Sequence, residues 1–190
     1  MKNYVTAALL AIALGCTAAS AVAQMDSMSG KDPMVGGSAM YPSKNIIENA
    51  VNSKDHTTLV AAVKAAGLVD TLSGPGPFTV FAPTNEAFDK LPAGTVDTLL
   101  KPENKDTLVK ILTYHVVPGR VSAKDLTKLI KKGGGKATIK TVQGEDLTAA
   151  IVGGKVVLTD AKGGTSTVTI ADVFQSNGVI HVVDTVLMPN

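Results

Sequence analysis

The sequence predicts an α+β domain, with helices in its first half and an antiparallel meander in its second. Three observations carry this. Apolar residues keep helical spacing at Leu59, Ala62, Val63 and Ala66, and again at Leu108, Ile111 and Leu112. From Gly133 onward the apolar period changes to two. Gly153-Gly154 and Ser176-Asn177-Gly178 each separate two runs of strand-forming residues, which marks hairpins.

The elements follow in order. Asn45 to Asn52 reads as a short helix with Ile46, Ile47 and Ala50 as its stripe. Asp55 is placed to cap the next helix, which Gly67 stops. Gly74-Pro75-Gly76-Pro77 is a rigid turn ahead of a strand from Phe78 to Ala82. Pro83-Thr84 opens a brief helix carrying Phe88 and Leu91, with Thr84 as its cap. Pro102 precedes a helix with Leu108, Ile111, Leu112 and His115 on one face, closed by Val117-Pro118-Gly119. Ser122 and Asp125 form a capping box ahead of Leu126, Leu129 and Ile130. Ala137 to Val142 alternates, Leu147 to Val152 meets Lys155 to Thr159, and Thr167 to Phe174 faces Val179 to Val183. Asn177-Gly178 is expected to supply the positive φ values of a type I′ turn. The Val179–Val183 run is apolar on both faces and belongs in the middle of a sheet.

The chain has 190 residues, 45% of them hydrophobic and 18% charged, with a net charge of +2. That is enough apolar material for one core, and too balanced a charge for a dedicated nucleic-acid binder. Four Phe, three Tyr and no Trp supply few platforms for stacking bases or sugars. A single cysteine excludes a disulfide scaffold and a thiolate-held zinc within one chain.

Lys2, the apolar run Val5 to Gly15 and the ending Ala21-Val22-Ala23 read as a secretory signal peptide over residues 1–23. The apolar run is shorter than the roughly 20 residues of a spanning helix, and no other stretch reaches that length. The rival reading is lipoprotein processing at Cys16, which Ala13 weakens because such sites usually carry Leu there. The protein is therefore expected to be exported, to the periplasm or beyond. Residues 24–43 read as a flexible arm, and residues 44–190 as one domain. Met25, Met28, Met34 and Met40 raise soft copper binding as an idea. Only Met25 and Met28 stand close together, and no His lies nearby.

Phe78-Thr79-Val80-Phe81-Ala82-Pro83-Thr84-Asn85-Glu86-Ala87-Phe88 resembles the first signature of fasciclin domains. Tyr114-His115, followed by Val116-Val117-Pro118-Gly119, is similar to their Tyr-His motif. Ser176-Asn177-Gly178-Val179-Ile180-His181-Val182-Val183-Asp184, with Val186-Leu187, resembles the second signature. The resemblance runs from about Tyr41 to Pro189 and is nearest to short exported bacterial members with a single domain. It implies a wedge of antiparallel strands with several helices packed around it. In animal members cell binding is ascribed to an Asp-Ile pair and to the Tyr-His motif, which match Asp172-Val173 and Tyr114-His115 here. Val in place of Ile weakens that carry-over. There is also no Arg-Gly-Asp and no Asn-x-Ser/Thr.

Most of the signature residues have an architectural reading. Thr84, Asn85 and Phe88 start and seat a helix, while Asn177, Gly178 and His181 set a hairpin and its register. His115 and His181 are expected to be buried and hydrogen-bonded, and His56 to be exposed. Tyr114 lies about 100° round the helix from the buried stripe, at the expected boundary with solvent. That is the profile of an interface anchor. A Ser, His181 and Asp172 or Asp184 can be written as a triad, but no Gly-x-Ser-x-Gly elbow accompanies them. Lys124 to Lys140 contains six Lys and one Asp around three glycines. Its spacing does not fit a phosphate loop, so Lys131, Lys132 and Lys136 are either a solvated helix end or a contact for an anionic partner.

The expectation is thus an exported, non-catalytic binding or adhesion module without a cofactor or metal. Its partner is an envelope or extracellular protein or polysaccharide, recognised around Tyr114, His115, Asp172 and Val173 with the three lysines. The alternatives are an envelope enzyme using Ser, His and Asp, and a small-ligand or copper carrier.

Overall fold

The structure is a computed structural model that describes residues 32–190. The expected signal peptide, Cys16, Met25 and Met28 lie outside the described residues. β1 (Met34–Val35) and β2 (Ser38–Ala39) form a small antiparallel hairpin, and Val35 and Met40 are buried in the core. The sequence places these residues in a flexible arm; the structure builds them into the domain. Two apolar side chains on a tight hairpin are too sparse to give a period, yet they find a complementary surface.

α1 (Ile46–Ala50) starts at a capping box. The Asn45 side chain accepts from the Glu48 N–H, and the Glu48 carboxylate accepts from the Asn45 N–H. α2 (Thr57–Ala66) buries Leu59, Ala62, Val63 and Ala66, and Gly67 ends it at φ +72°. Asp55 does not cap it. The chain enters through one 3₁₀ turn, Lys54–His56, and the Thr58 N–H donates to Asn85 Oδ1 at 3.1 Å. α3 (Val69–Ser73) leads to β3 (Phe78–Pro83). The Thr84 hydroxyl then caps α4 (Asn85–Asp89), which buries Phe88. α5 (Thr95–Leu99), α6 (Lys105–Tyr114) and β4 (Val116–Pro118) follow. α7 (Ala123–Lys132) opens on the Ser122/Asp125 capping box. The remaining strands are β5 (Lys136–Lys140), β6 (Asp146–Val152), β7 (Lys155–Thr159), β8 (Thr165–Gln175) and β9 (Gly178–Val183).

Seven strands form one sheet in the order β4-β3-β9-β8-β7-β6-β5. Its two ends approach each other: just past β5, the Val142 N–H donates to the Val116 carbonyl at 2.7 Å. Five neighbouring pairs are antiparallel, but β3 and β9 run parallel, from Phe78 opposite Gly178 to Pro83 opposite Val183. Periodicity reports which residues face the core and says nothing of strand direction, so this pair could not be read from the pattern. Lying between β3 and β8, β9 is buried at all six positions, as its two apolar faces predict.

The β8–β9 turn differs from the expected type. Gln175 pairs with Gly178, so Ser176 and Asn177 make the turn, and neither has positive φ. Gly178 is required for a different reason: a Cβ there would lie 2.1 Å from the Phe78 carbonyl oxygen. The Asn177 side chain accepts from the Ile46 N–H and donates to the Leu72 and Gly74 carbonyls. It ties α1 and the end of α3 to the sheet.

Two apolar clusters fill the interior. One joins α1, α2 and α6 to β3 and β9, through residues such as Leu59, Val63, Leu112, Val80 and Ile180. The other packs Leu126 and Ile130 of α7 on Ala137, Leu147, Ala149 and Leu158. No helix among the described residues is long and apolar enough to cross a membrane.

Candidate functional site

The three signature stretches, far apart in sequence, become neighbours as β4, β3 and β9. Tyr114-His115 enters this belt from the end of α6. His115 is buried, and its ring spans two backbones. Nδ1 lies 2.9 Å from the Ile111 carbonyl, while Nε2 accepts from the Leu187 N–H at 3.0 Å. This fixes the neutral tautomer with its proton on Nδ1. Burial pushes the imidazole down to about 4, because a second proton would sit in an apolar interior facing another donor.

Tyr114 is not at the boundary with solvent: it is 0% exposed. Its hydroxyl donates to the Asp146 carbonyl at 3.0 Å and accepts from the Ala161 N–H at 3.1 Å. Burial holds the phenol above its ordinary range. The helical wheel placed it beside the stripe correctly. However, the far half of the sheet curls over that flank, so α6 is buried on two sides. Leu108, Ile111 and Leu112 belong to one cluster and Tyr114 to the other.

Asp172 and Val173 sit at an irregularity in β8, where Asp172 adopts φ +58°. The Asp172 carboxylate accepts from the Ala123 N–H at 2.7 Å, adding an acceptor at the start of α7. Its backbone N–H donates to His181 Nδ1 at 3.3 Å, and His181 Nε2 lies 2.9 Å from the Val121 carbonyl. His181 also stacks on Phe81 and is held below its ordinary value by burial. Val173 is fully buried. The paper triad does not assemble. The ring of His181 has two backbone partners, the Asp172 carboxylate serves α7, and that of Asp184 accepts from Thr167 and Thr185.

His56 corrects a second expectation. It is 3% exposed and lies at a cavity of about 40 Å³ among Met40, Ile46, Leu59, Val63 and Leu112. Nδ1 lies 2.9 Å from Ser53 Oγ, and Nε2 has no hydrogen-bond partner. Burial lowers its basicity. Met40 is a core side chain here, and Met34 is exposed on β1. Among the described residues no three His, Cys, Asp or Glu side chains gather as metal ligands.

Lys131, Lys132 and Lys136 are exposed around Gly133-Gly134-Gly135. The ion pairs among the described residues are Lys110–Glu145 and Lys128–Asp125, so all three keep their charge uncompensated. Of the residues singled out as binding candidates, these lysines are the exposed ones. A polar feature that composition hid is Arg120, the chain's single arginine. It lies over the Phe174 ring, donates to the Gln175 carbonyl at 2.6 Å, and borders an open groove with Pro75, Pro77 and Ser176. Its place directly after Pro118-Gly119 was the available signal.

The model of the fasciclin domain matches residues 54–189. The chain belongs to the fasciclin domain family. It is 48% identical over 182 residues to protein sll1483 of Synechocystis, covering 96% of this chain and 93% of the relative. It is 34% identical to the immunogenic protein MPT70 of Mycobacterium tuberculosis, over 100% of this chain and 99% of the relative. The cell surface glycolipoprotein MPB83 of Mycobacterium bovis shares 36% identity over 84% of this chain and 61% of its own length. Among solved structures, a FAS1 domain pair from the insect cell adhesion molecule fasciclin I superposes with a TM-score of 0.69 at 21% identity. That match covers 77% of this chain and 51% of the pair, and it bears on the fold alone. In this fasciclin domain, Thr79, Tyr114, His115, Asn177 and His181 of the signatures bond to backbone, whereas Glu86 and Ser176 are exposed.

Proposed function

We propose that this fasciclin domain is an exported, non-catalytic binding module acting at the cell envelope or outside the cell. One observation carries the reading. The polar groups of Tyr114, His115, Asp172 and His181 are occupied in holding the fold, while Lys131, Lys132 and Lys136 are exposed and their side chains serve no fold contact. A recognition surface has to face outward, and these lysines do. Family membership with a cell surface glycolipoprotein among the relatives supports an extracytoplasmic setting. The partner is an envelope or extracellular component with negative charge, attracted through screened electrostatics. The test compares retention on cell-envelope material of the wild type and a Lys131→Gln/Lys132→Gln/Lys136→Gln variant, at low and high salt. Salt-sensitive retention lost in the variant supports the reading. Retention that ignores both salt and the lysines removes it.

A further inference from the structure

We propose that the end of the sheet where α7 runs into β5 docks on an anionic lipid bilayer. This deepens the binding-module reading above and rests on it. α7 ends at Lys132, three glycines follow, and Lys136 begins β5 opposite Ala150 of β6. Ile151 and Val152 come next and lead into the Gly153-Gly154 turn, with Val152 paired to Lys155. Lys131, Lys132, Lys136 and Lys155 therefore share one end of the molecule, all exposed and none in an ion pair among the described residues. The sequence on either side is free of counter-charge: Leu126 to Gly144 and Leu147 to Thr159 contain no Asp and no Glu.

Charge alone would suit any polyanion. The apolar side chains choose between them. Leu129 in the last turn of α7 is 46% exposed, Ile151 38% and Val152 61%, and all three stand at this same end. A polysaccharide chain offers them nothing, whereas a bilayer interface takes apolar side chains at the acyl boundary and ammonium groups among its phosphates. The two glycine turns are free of side chains, so nothing bulky holds the lysines away from the surface. Attachment of this kind is peripheral and reversible, because each lysine near an anionic leaflet contributes only about 1 kcal/mol.

The test uses the purified protein with three probes: vesicles of phosphatidylglycerol in phosphatidylcholine, vesicles of phosphatidylcholine alone, and soluble dextran sulfate. The wild type is expected to float with the phosphatidylglycerol vesicles only, and to leave them as salt rises. A Lys131→Gln/Lys132→Gln/Lys136→Gln/Lys155→Gln variant should lose roughly 1000-fold in partitioning at low salt. Val152→Ser, at the more exposed apolar site, should weaken vesicle binding by roughly 3- to 10-fold while leaving any affinity for dextran sulfate unchanged. Thermal melting establishes that both variants are folded. Full vesicle binding by Val152→Ser, or equal binding of dextran sulfate and vesicles, overturns the bilayer in favour of a soluble polyanion. Absence of binding to phosphatidylglycerol overturns it too. If lysine-dependent retention on envelope material persists in that case, only the bilayer fails. If it also vanishes, the binding-module reading fails with it.

Discussion

The belt formed by β4, β3 and β9 and the basic end of the sheet use polar residues in opposite ways. In and beside the belt, Tyr114, His115 and His181 are polar residues turned inward, each bridging two stretches of backbone, and Asp172 on the adjoining β8 holds the first N–H of α7. At the basic end, Lys131, Lys132, Lys136 and Lys155 face water and bridge nothing. A distinctive motif can therefore be a folding device, and a low-complexity run of lysine and glycine can be what the surface presents. The physical divide is desolvation. A buried hydroxyl or imidazole loses stability for each polar atom left unpaired, which favours one residue type at one position. An exposed ammonium is satisfied by water and makes no such demand.

The sharpest way to break the belt is Gly178→Ala. The added methyl meets the Phe78 carbonyl, a backbone atom in the parallel pair, and cannot be accommodated by a side-chain shift. The expected loss is at least about 3 kcal/mol, or no folded protein at all. Urea unfolding that matches the wild type would show that β3 and β9 are not packed as described. His115→Ala follows at about 3 kcal/mol, because it leaves the Leu187 N–H and the Ile111 carbonyl unpaired beside a cavity.

Acid should act on the same belt. The native His115 titrates at about 4, and an unfolded histidine near 6.5. Below 6.5 the unfolded chain binds a proton that the native state refuses, so stability present at neutral pH falls as pH drops toward 4. Between pH 7 and pH 5 this single group accounts for about 2 kcal/mol. His56 and His181 are lowered as well and add in the same direction. Denaturant titrations at several pH values check this, and a His115→Gln variant should show a visibly flatter dependence. Equal stability at pH 7 and pH 5 would contradict a buried neutral ring.

Tyr114→Phe keeps the ring and removes only the hydroxyl that joins Asp146 to Ala161, so about 1–2 kcal/mol is expected. If Tyr114 were a surface anchor, that change would spare stability and cost binding instead. At the other extreme, the triple Lys131→Gln/Lys132→Gln/Lys136→Gln variant should unfold within about 0.5 kcal/mol of the wild type. A large loss would mean that the lysines have a structural duty, and the contrast between the two regions would collapse.

Some of this was legible residue by residue. The Ser122/Asp125 box, the Thr84 cap, the Gly67 stop, the Gly153-Gly154 hairpin and the central place of β9 depend on contacts within a few residues or on one element's pattern. Local chemistry writes such features directly into sequence. The α+β class and the fasciclin family followed from the same kind of signal, once three long motifs stood in order. Tertiary structure alone decided which strand neighbours which, and hence what is covered. It made β3 and β9 parallel, seated Val35 and Met40 in the core, and buried Tyr114 and His56. Each of these depends on surface contributed by residues distant in the chain, and a helical wheel or a period of two has no access to that second surface. The sequence determines which faces are apolar; only the closed packing of both halves of the sheet determines which polar residues are left to meet a partner.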